Sequence, residues 1–328
     1  MKTPDFWYKD SPNLLSHILS PMARLYQWAD RHNKTQKRQR QAPIQVLCVG
    51  NITAGGSGKT PVVLALLKLL LNHKISLSPA FLTRGYKSHV IGPEYVDNSH
   101  NPDLWGDEAL LLADHGQTIV AKSRYDGAHL AADTGRDIVL LDDGLQHYGL
   151  KKDLSFCVVD GAHGLGNGLV LPAGPLRVSL PDALPDIDAF ILIGDPVHPS
   201  CKEILSCGKS IFKASVRPTN LNELSRDISY LAFCGIGLPQ KFKKTLEQNG
   251  FHLVGFEAFA DHHSYSADDL SKLVNTALKK NVRLITTEKD FARLPDFQKK
   301  SMIDVLKIEL AWEDEAALSK YIKEVLGK

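Results

Sequence analysis

Residues 44–71 read IQVLCVGNITAGGSGKTPVVLALLKLLL: a short apolar run, a glycine-rich loop and an apolar stretch of helical character. This order predicts a strand, a loop and a helix. Glycines let backbone N–H groups curl around phosphate oxygens without a Cβ clash, and a helix N-terminus adds a favourable dipole. Lys59 is placed to reach the β- and γ-phosphates of a nucleotide, and the Thr60 hydroxyl to ligate Mg²⁺.

The predicted phosphate loop departs at one position from the general pattern G-x-x-x-x-G-K-[ST], which has glycine where this chain has Thr53. A glycine-rich turn with an incidental lysine is the alternative interpretation. The predicted nucleotide-binding residues are eight consecutive ones: Thr53, Ala54, Gly55, Gly56, Ser57, Gly58, Lys59 and Thr60.

A second apolar run, Asp137–Leu141, is followed by Asp142 and Asp143. An acidic residue at the end of such a strand is placed to hold Mg²⁺ beside a phosphate loop. Because a helix cap is the commoner role of such a residue, the metal interpretation depends on the Lys59-Thr60 pair.

Strand-like and helical segments alternate along the chain, which predicts an α/β fold with a P-loop NTPase-like, doubly wound, mostly parallel sheet. A second β/α series from Ser229 onward predicts a smaller α/β lobe, and residues 211–228 are expected to connect the two. Three parts are predicted: an N-terminal segment 1–40, a P-loop domain 41–215 and a C-terminal lobe 216–328. The strands are expected at Ile44–Val49, Ala80–Thr83, Thr118–Ala121, Asp137–Leu141, Phe156–Val159, Ala189–Ile193, Tyr230–Cys234, His252–Phe256, Arg283–Thr286 and Val305–Leu310.

The N-terminal segment reads as an amphipathic helix over Pro12–Ala29, with aromatic residues before it and the cationic stretch Arg31–Arg40 after it. Residues 1–40 carry eight Lys and Arg against three Asp, a net charge of +5, whereas the whole chain carries +2. Such a segment is typical of an anchor at a membrane interface. The alternative is a helix docked on the protein's own core, followed by a solvated basic linker.

Composition excludes several classes of protein. A chain of 328 residues with 43% hydrophobic and 23% charged residues is typical of a globular protein of two domains. The five cysteines form no CxxC pair, which argues against zinc and favours a reducing compartment. No convincing signal peptide and no run of about 20 apolar residues is present, so we expect an intracellular protein that does not cross a membrane. Outside residues 1–40 no basic stripe suggests nucleic acid.

Several short motifs, taken in order, resemble the tetraacyldisaccharide 4′-kinases, which are the lipid A kinases of Gram-negative bacteria. The resemblance covers nearly the whole chain, and Val178 is a departure, since the family commonly has glutamate there. The matching motifs are residues 49–61, Thr83-Arg84-Gly85-Tyr86, Gly106-Asp107-Glu108, residues 124–128, residues 142–147, residues 171–177, residues 259–263 and residues 286–290.

This resemblance implies transfer of the γ-phosphate of ATP, with Mg²⁺, to the 4′-hydroxyl of a tetraacylated glucosamine disaccharide 1-phosphate. It also implies a monotopic enzyme on the cytoplasmic face of the bacterial inner membrane, with a glycolipid substrate and no obligate protein partner. Asp107 would accept the proton of the hydroxyl, supported by His262, while Lys59 neutralises phosphate charge. The remaining implied residues are Glu108, Thr60, Asp142 and Gln146 at the metal, and Arg84, Arg124, Asp142, Asp143 and Arg177 at the substrate.

Other functions stay open from the sequence alone. A P-loop ATPase of the partitioning type would carry a lysine where this chain has Ala54, which counts against it. A membrane-bound nucleotide-binding regulator would give Asp107 and His262 no reason to act together. A kinase for another small molecule would not need the amphipathic N-terminal segment.

Overall fold

The computed structural model describes residues 4–56, 58–86, 88–97, 101–261, 263–295, 297 and 300–328, with the backbone alone for 102 and 103. The chain forms two compact units. The larger comprises Pro4–Val216 and Leu310–Lys328, and the smaller comprises Arg217–Glu309. The smaller unit is therefore inserted into the sequence of the larger one.

The strands and helices follow one another in the alternation that the sequence predicts. The strands are β1 (Gln45–Gly50), β2 (Pro79–Thr83), β3 (Glu94–Tyr95), β4 (Thr118–Val120), β5 (Ile138–Asp142), β6 (Leu154–Asp160), β7 (Ala189–Ile193), β8 (Ser210–Pro218), β9 (Ser229–Cys234), β10 (His252–Ala258), β11 (Arg283–Thr287), β12 (Ile303–Leu306) and β13 (Ile308–Trp312). The helices are α1 (Leu14–Gln36), α2 (Lys59–Asn72), α3 (Pro102–Trp105), α4 (Asp107–Ala113), α5 (Arg124–Asp133), α6 (Leu180–Ala183), α7 (Cys201–Leu205), α8 (Pro239–Gln248), α9 (Ala267–Lys280), α10 (Glu288–Phe291) and α11 (Glu315–Leu326).

In the described residues, one sheet of nine strands has the order β13-β8-β7-β6-β1-β5-β2-β4-β3. Strand β1 pairs in parallel with β5 on one side and with β6 on the other. Its alternate residues face two separate cores: Val46 and Cys48 pack on the side of α5, and Leu47 and Val49 on the side of α2 and α11. Burial on both faces explains why these strands read as continuous apolar runs. The doubly wound, mostly parallel α/β fold is confirmed.

The strand order brings several predicted site residues to one edge of this sheet. Strands β1, β5, β2 and β4 are neighbours and run in parallel, so their carboxyl ends lie side by side. The phosphate loop follows β1, Asp142 ends β5, Arg84 follows β2 and Arg124 follows β4. Helix α4 packs against β4 and leads back to its start, so the helix N-terminus at Asp107 lies towards the same edge. Open α/β sheets bind ligands at this edge, where the strand order reverses direction.

The smaller unit holds a parallel sheet of four strands in the order β10-β9-β11-β12, within the described residues. Helix α9 covers one face through Leu270, Leu273 and Ala277, and α8 covers the other. A capping box at Ser266 fixes the start of α9, since its side chain accepts from the Asp269 N–H while the Asp269 carboxylate accepts in return.

The structure differs from the sequence prediction in three stretches. Val305–Leu310 is not one strand, because β12 ends at Leu306 and β13 begins at Ile308. Residues 211–216 belong to β8 of the large sheet and not to a connection between lobes. Residues 310–328, predicted in the C-terminal lobe, pack with the larger unit, where Leu318, Ile322 and Leu326 join the core beneath α2.

Candidate active site

The phosphate loop lies between β1 and α2, and the structure describes all of its predicted residues except Ser57. Gly55 and Gly58 have φ angles of +106° and +84°, which L side chains rarely adopt. A Cβ atom on Gly58 would also lie 2.6 Å from Cδ1 of Ile193. Glycine is therefore required by the backbone at both positions.

A neighbouring stretch of chain clamps the first half of the loop. The Ala54 N–H donates to the Pro175 carbonyl at 2.7 Å, and the Arg177 N–H donates to the Ile52 carbonyl at 2.7 Å. Thr53 forms an antiparallel bridge with Leu176 between these bonds. The Ala54 N–H is thus already used within the protein, so Ala54 contributes to the loop by shape and not by a free backbone donor.

Lys59, Asp143 and Arg177 form a charged cluster at the end of the loop. Nζ of Lys59 lies 3.2 Å from Oδ1 of Asn51 and 3.8 Å from Oδ1 of Asp143. Nη1 of Arg177 donates to both carboxylate oxygens of Asp143, at 3.2 and 3.0 Å. Burial raises the pKa of Asp143, but Lys59 and Arg177 outweigh burial, and the net pKa lies below its ordinary value. Asp143 is therefore held ionised between two cations.

The predicted metal ligands provide oxygen atoms near this cluster. Asp142 is 4% exposed at the end of β5, and Thr60 lies in the first turn of α2. The Gln146 side chain donates its amide N–H to the Asn51 carbonyl at 2.8 Å, which leaves the amide oxygen as its ligating atom. Among the described residues, no group of three or more His, Cys, Asp or Glu could hold a metal ion by itself. This donor set fits Mg²⁺, which usually takes one or two carboxylates and completes its shell with phosphate and water.

Arg124 and His147 lie near other cations at the same edge of the sheet. The Arg124 side chain is 6% exposed, and its Nε has no hydrogen-bond partner in the described part of the chain. Burial and the nearby Arg84 lower the pKa of Arg124 to about 10. Burial and the positive charge of Arg124 and Lys152 lower the pKa of His147 to about 4. An anion would relieve this repulsion.

Asp107 and Glu108 form the first turn of α4, as the sequence predicts. Gly106 precedes them with a φ angle of +81°, and any Cβ there would clash with the carbonyl of Tyr86. The Thr83–Tyr86 motif and the Gly106–Glu108 motif are therefore packed together, which explains why both belong to one set.

Comparison with known proteins decides which family combines these features. The family model for tetraacyldisaccharide-1-P 4′-kinase (LpxK) matches residues 15–327. Curated proteins named tetraacyldisaccharide 4′-kinase are similar over their whole length. One from Methylorubrum extorquens (strain PA1) is 40% identical over 326 residues, with 98% of each chain covered. One from Paramagnetospirillum magneticum (strain AMB-1) is 38% identical over 320 residues, with 97% of each covered.

A solved structure of LpxK from Aquifex aeolicus in complex with ATP superimposes with a TM-score of 0.73 and 26% identity. The match covers 95% of this chain and 99% of that one. The chain belongs to the tetraacyldisaccharide-1-P 4′-kinase family. The resemblance of the ordered motifs is thereby confirmed, and the chain is an ATP-dependent kinase of lipid A biosynthesis.

Of the two histidines in the family motif of residues 259–263, His262 lies outside the described residues. Its neighbour His263 has structural contacts. Nε2 of His263 lies 3.1 Å from Oδ2 of Asp269, and its ring stacks on Phe259 with 4.7 Å between ring centres. These contacts hold His263 against α9, which leaves His262 as the candidate for a role in this kinase family.

Helix α1 turns its apolar face outward. Its apolar face points to solvent, with exposed fractions from 42% to 77% at Leu14, Leu15, Ile18, Met22, Leu25, Tyr26 and Trp28. Its buried side is made of small and polar residues, such as Ser16 and Ala23. The interpretation of a helix whose apolar face docks on the protein's own core is therefore wrong. In the part of the chain that the structure describes, no helix is long and apolar enough to span a bilayer.

Polar contacts hold α1 to the larger unit. The Gln27 amide donates to Oδ2 of Asp182 at 2.7 Å, and Arg31 pairs with the same carboxylate at 2.9 Å. The Arg40 guanidinium lies 3.6 Å from the ring centre of Tyr125. Helix α1 continues to Gln36, so the first part of the predicted cationic tail is helical. Arg31 and Arg40 of this tail contact the larger unit.

Two of the aromatic residues before α1 form hydrogen bonds to the larger unit. Nε1 of Trp7 donates to the Pro172 carbonyl at 3.1 Å, and the Tyr8 hydroxyl donates to the Ala54 carbonyl at 3.0 Å. The sequence does not predict the contact between Tyr8 and Ala54, because the two residues are 46 positions apart and no local pattern links them. Sequence reasoning also missed Asn51, whose position between strand and loop was the available signal.

Proposed function

We propose that the chain transfers the γ-phosphate of ATP to the 4′-hydroxyl of tetraacyldisaccharide 1-phosphate through the residues at this sheet edge. The observation that carries the proposal is the Lys59–Asp143–Arg177 cluster beside a glycine loop, in a chain that belongs to the kinase family. Phosphoryl transfer requires positioning and charge neutralisation more than covalent chemistry. Lys59 supplies a mobile cation for the phosphates, and Asp143 keeps it aimed at the loop until nucleotide binds.

Mg²⁺ would be held by Thr60 and Asp142, with Gln146 and Glu108 as further ligands. When bound, the ion would neutralise charge on the phosphates. We assign Asp142 to the metal and not Asp143, since both oxygens of Asp143 already accept hydrogen bonds from Arg177. This assignment gives the two adjacent aspartates different roles.

Asp107 is proposed as the acceptor of the hydroxyl proton. It stands in the first turn of α4, whose N-terminus lies towards the carboxyl edge of the sheet. His262 is proposed to support Asp107, as the family resemblance implies, because the structural contacts of His263 make it unsuited to that role. A carboxylate needs only modest basicity here, since the proton leaves late in the reaction.

Arg84 and Arg124 are proposed to bind an anionic group of the substrate. Burial, and after it the charge of Arg84, lowers the pKa of Arg124, and burial with the charge of Arg124 and Lys152 lowers the pKa of His147, so cations lie near both groups. Guanidinium groups suit phosphate oxygens because they donate in pairs. Arg177, which we predicted at the substrate, is bound to Asp143 and is now proposed to tune that carboxylate.

The exposed apolar face of α1 is proposed to lie in the cytoplasmic leaflet of the bacterial inner membrane. Because the polar side of the helix is satisfied by Asp182 and Ser179, the apolar side faces outward with the helix fixed in place. An interfacial helix buries such a face at the boundary of headgroups and acyl chains. This placement would bring a peripheral enzyme to its glycolipid substrate.

The direct test of the reaction is to incubate the purified protein with γ-labelled ATP, Mg²⁺ and the disaccharide lipid in mixed micelles. Label is expected on the lipid. Asp107→Ala is expected to lose most turnover while ATP still binds, because the residue acts on the acceptor and not on the nucleotide. Label released only as inorganic phosphate would contradict the proposal, and near-normal turnover of Asp107→Ala would remove that residue from the mechanism.

The membrane role of α1 is tested by replacing Ile18, Met22 and Leu25 together with serine and measuring binding to anionic vesicles. At least a tenfold loss of binding is expected, since three apolar side chains leave the interface. A matched control replaces three apolar residues elsewhere that are at least as exposed, Leu77, Ile91 and Val197. Equal losses in both variants would contradict a specific role for α1.

A further inference from the structure

Tyr8 contacts the phosphate loop, although it belongs to none of the family motifs. Tyr8 ends a short 3-10 helix, Asp5–Tyr8, and its hydroxyl donates to the Ala54 carbonyl at 3.0 Å. Its ring packs edge-on against His163, with 5.0 Å between ring centres. Burial and the nearby Asp160 raise the pKa of Tyr8 to about 12, so the hydroxyl keeps its proton and remains a donor.

The peptide group that Tyr8 contacts joins Ala54 to Gly55. Because this bond is trans, its C=O and N–H point in opposite directions. Tyr8 holds the carbonyl on one side, and the N–H of Gly55 is turned to the other side. The preceding N–H, that of Ala54, is fixed by the Pro175 carbonyl. With φ of +106° at Gly55, nothing in the side chain of that residue restrains the peptide.

The turn that carries Tyr8 is itself fixed by other parts of the larger unit. Trp7 donates from Nε1 to the Pro172 carbonyl, and its own carbonyl accepts from the Asn167 N–H at 2.8 Å. The Asn167 side chain in turn donates to the hydroxyl of Ser16 in α1 at 3.1 Å. Tyr8 is therefore placed by contacts that do not involve the phosphate loop, so it can hold the loop instead of following it.

We propose that Tyr8 is a positioning residue of the nucleotide site, whose hydroxyl fixes the Ala54–Gly55 peptide so that the Gly55 N–H is presented to the phosphates of ATP. The inference rests on the proposed nucleotide-binding role of the loop. A donor that is oriented before the ligand arrives costs less to order on binding. Tyr8 acts through the loop and has no part in the chemical step.

The test is the full-length variant Tyr8→Phe, which removes one oxygen atom and keeps the ring against His163. Loss of one hydrogen bond that orders a loop is expected to weaken ATP binding and raise the KM for ATP by about five- to tenfold. The kcat and the KM for the lipid are expected to stay within about twofold of wild type, because binding and not chemistry is changed. ATP binding is measured by titration calorimetry without lipid.

The matched control is Tyr321→Phe in α11, which removes the same kind of bond, from a tyrosine hydroxyl to the backbone carbonyl of Asp188 at 3.2 Å. Asp188 precedes β7, so this bond lies at the other end of the strands, and ATP affinity is expected to be unchanged. Equal ATP affinity for wild type and Tyr8→Phe would overturn the inference, as would an equal loss in Tyr321→Phe. Failure of the wild-type protein to bind ATP would instead contradict the proposed function.

Discussion

Asp143 and Asp290 both follow an apolar parallel strand, and each has an arginine partner, but they differ in burial and in their other partners. Asp143 has a side chain that is 36% exposed, and its partners are the side chains of Lys59 and Arg177. Asp290 is fully buried, and its carboxylate accepts from the Gly235 N–H at 2.8 Å, the Tyr265 hydroxyl at 2.9 Å and the Thr287 hydroxyl at 2.6 Å. The cations around the first aspartate are partly exposed, whereas the second has fixed neutral donors and one buried cation, Arg293, whose Nη1 lies 3.5 Å from Oδ1 and also donates to the Gly235 carbonyl at 3.0 Å.

The difference shows how one sequence pattern serves two purposes. Cations on flexible side chains can be transferred from Asp143 to an incoming phosphate, so that site suits a reaction. Donors from the backbone and from buried hydroxyls cannot leave Asp290, so that site locks the loop after β9 to the loop before α9. The position of Asp290 also raises the pKa of Tyr265, through burial and the adjacent negative charge. The tests below ask whether the first aspartate is chemical and the second structural.

The largest effect is expected from Lys59→Ala. Loss of the cation that neutralises charge on the phosphates should lower kcat/KM by at least about 1,000-fold. Steady-state kinetics with labelled ATP measures it, and Lys68→Ala on the exposed side of α2 serves as a charge-matched control. If Lys59→Ala were as active as that control, the cluster around Asp143 would have no role in the reaction.

A structural loss is expected from Asp290→Asn. The amide keeps the shape, but its nitrogen replaces one carboxylate oxygen and turns a donor towards a donor that this oxygen accepted from, and the charge that pairs with the buried Arg293 is lost. Together these changes should cost about 2–4 kcal/mol of unfolding free energy. Urea unfolding followed by hydrogen exchange in residues 217–295 measures the change in the smaller unit. Full stability in this variant would show that the buried carboxylate charge is not needed.

The same substitution at Asp143 is expected to have the opposite profile. Asp143→Asn should change the unfolding free energy by less than about 1 kcal/mol, since the ion pairs are partly exposed. Activity should fall by about tenfold, because Lys59 loses the carboxylate that aims it. A variant that unfolds readily but turns over normally would reverse the comparison.

The smallest effect is expected on the pH dependence of stability, through the lowered pKa of His147. Its pKa of about 4 in the folded chain lies below its ordinary value, so the unfolded chain takes up a proton first as pH falls. Stability should therefore decline between pH 6.5 and pH 4 by at most about 2.5 kcal/mol, and by less than that because His147 is half-buried and solvent screens part of the shift. His147→Gln should remove this part of the decline. Inorganic pyrophosphate should raise the pKa of His147 in NMR titrations, and an unchanged value would argue against excess positive charge there.

The sequence predicts this fold well where the determinants are local. Continuous apolar runs identified β1, β5 and β7, because strands buried on both faces need no alternation. Prediction failed where a distant partner decides. Residues 211–216 are a strand because β7 and β13 lie beside them, and the apolar face of α1 was visible without any sign of which side docks. Only the hydrogen bonds to Asp182 and Ser179 settle that question.

The candidate site divides in the same way. The phosphate loop, Asp142 and Asp143 follow from the order of strand, loop and helix. The engagement of Ala54 by Pro175 and Tyr8 depends on chain segments 46 and 121 positions away, and no local pattern carries it. The distinct roles of Asp142 and Asp143 likewise depend on Arg177, which reaches Asp143 from a separate loop.

The insertion of residues 217–309 within the larger unit has a consequence for synthesis on the ribosome. The smaller unit is complete once Glu309 has emerged, and it can fold as a contiguous piece of chain. The larger unit must wait for β13 and α11, whose Leu318, Ile322 and Leu326 cover the core beside α2. Domains usually fold in the order of their synthesis. Here the nascent nucleotide-binding unit, although it starts first, would finish last, with apolar α2 left partly uncovered for chaperones in the interval.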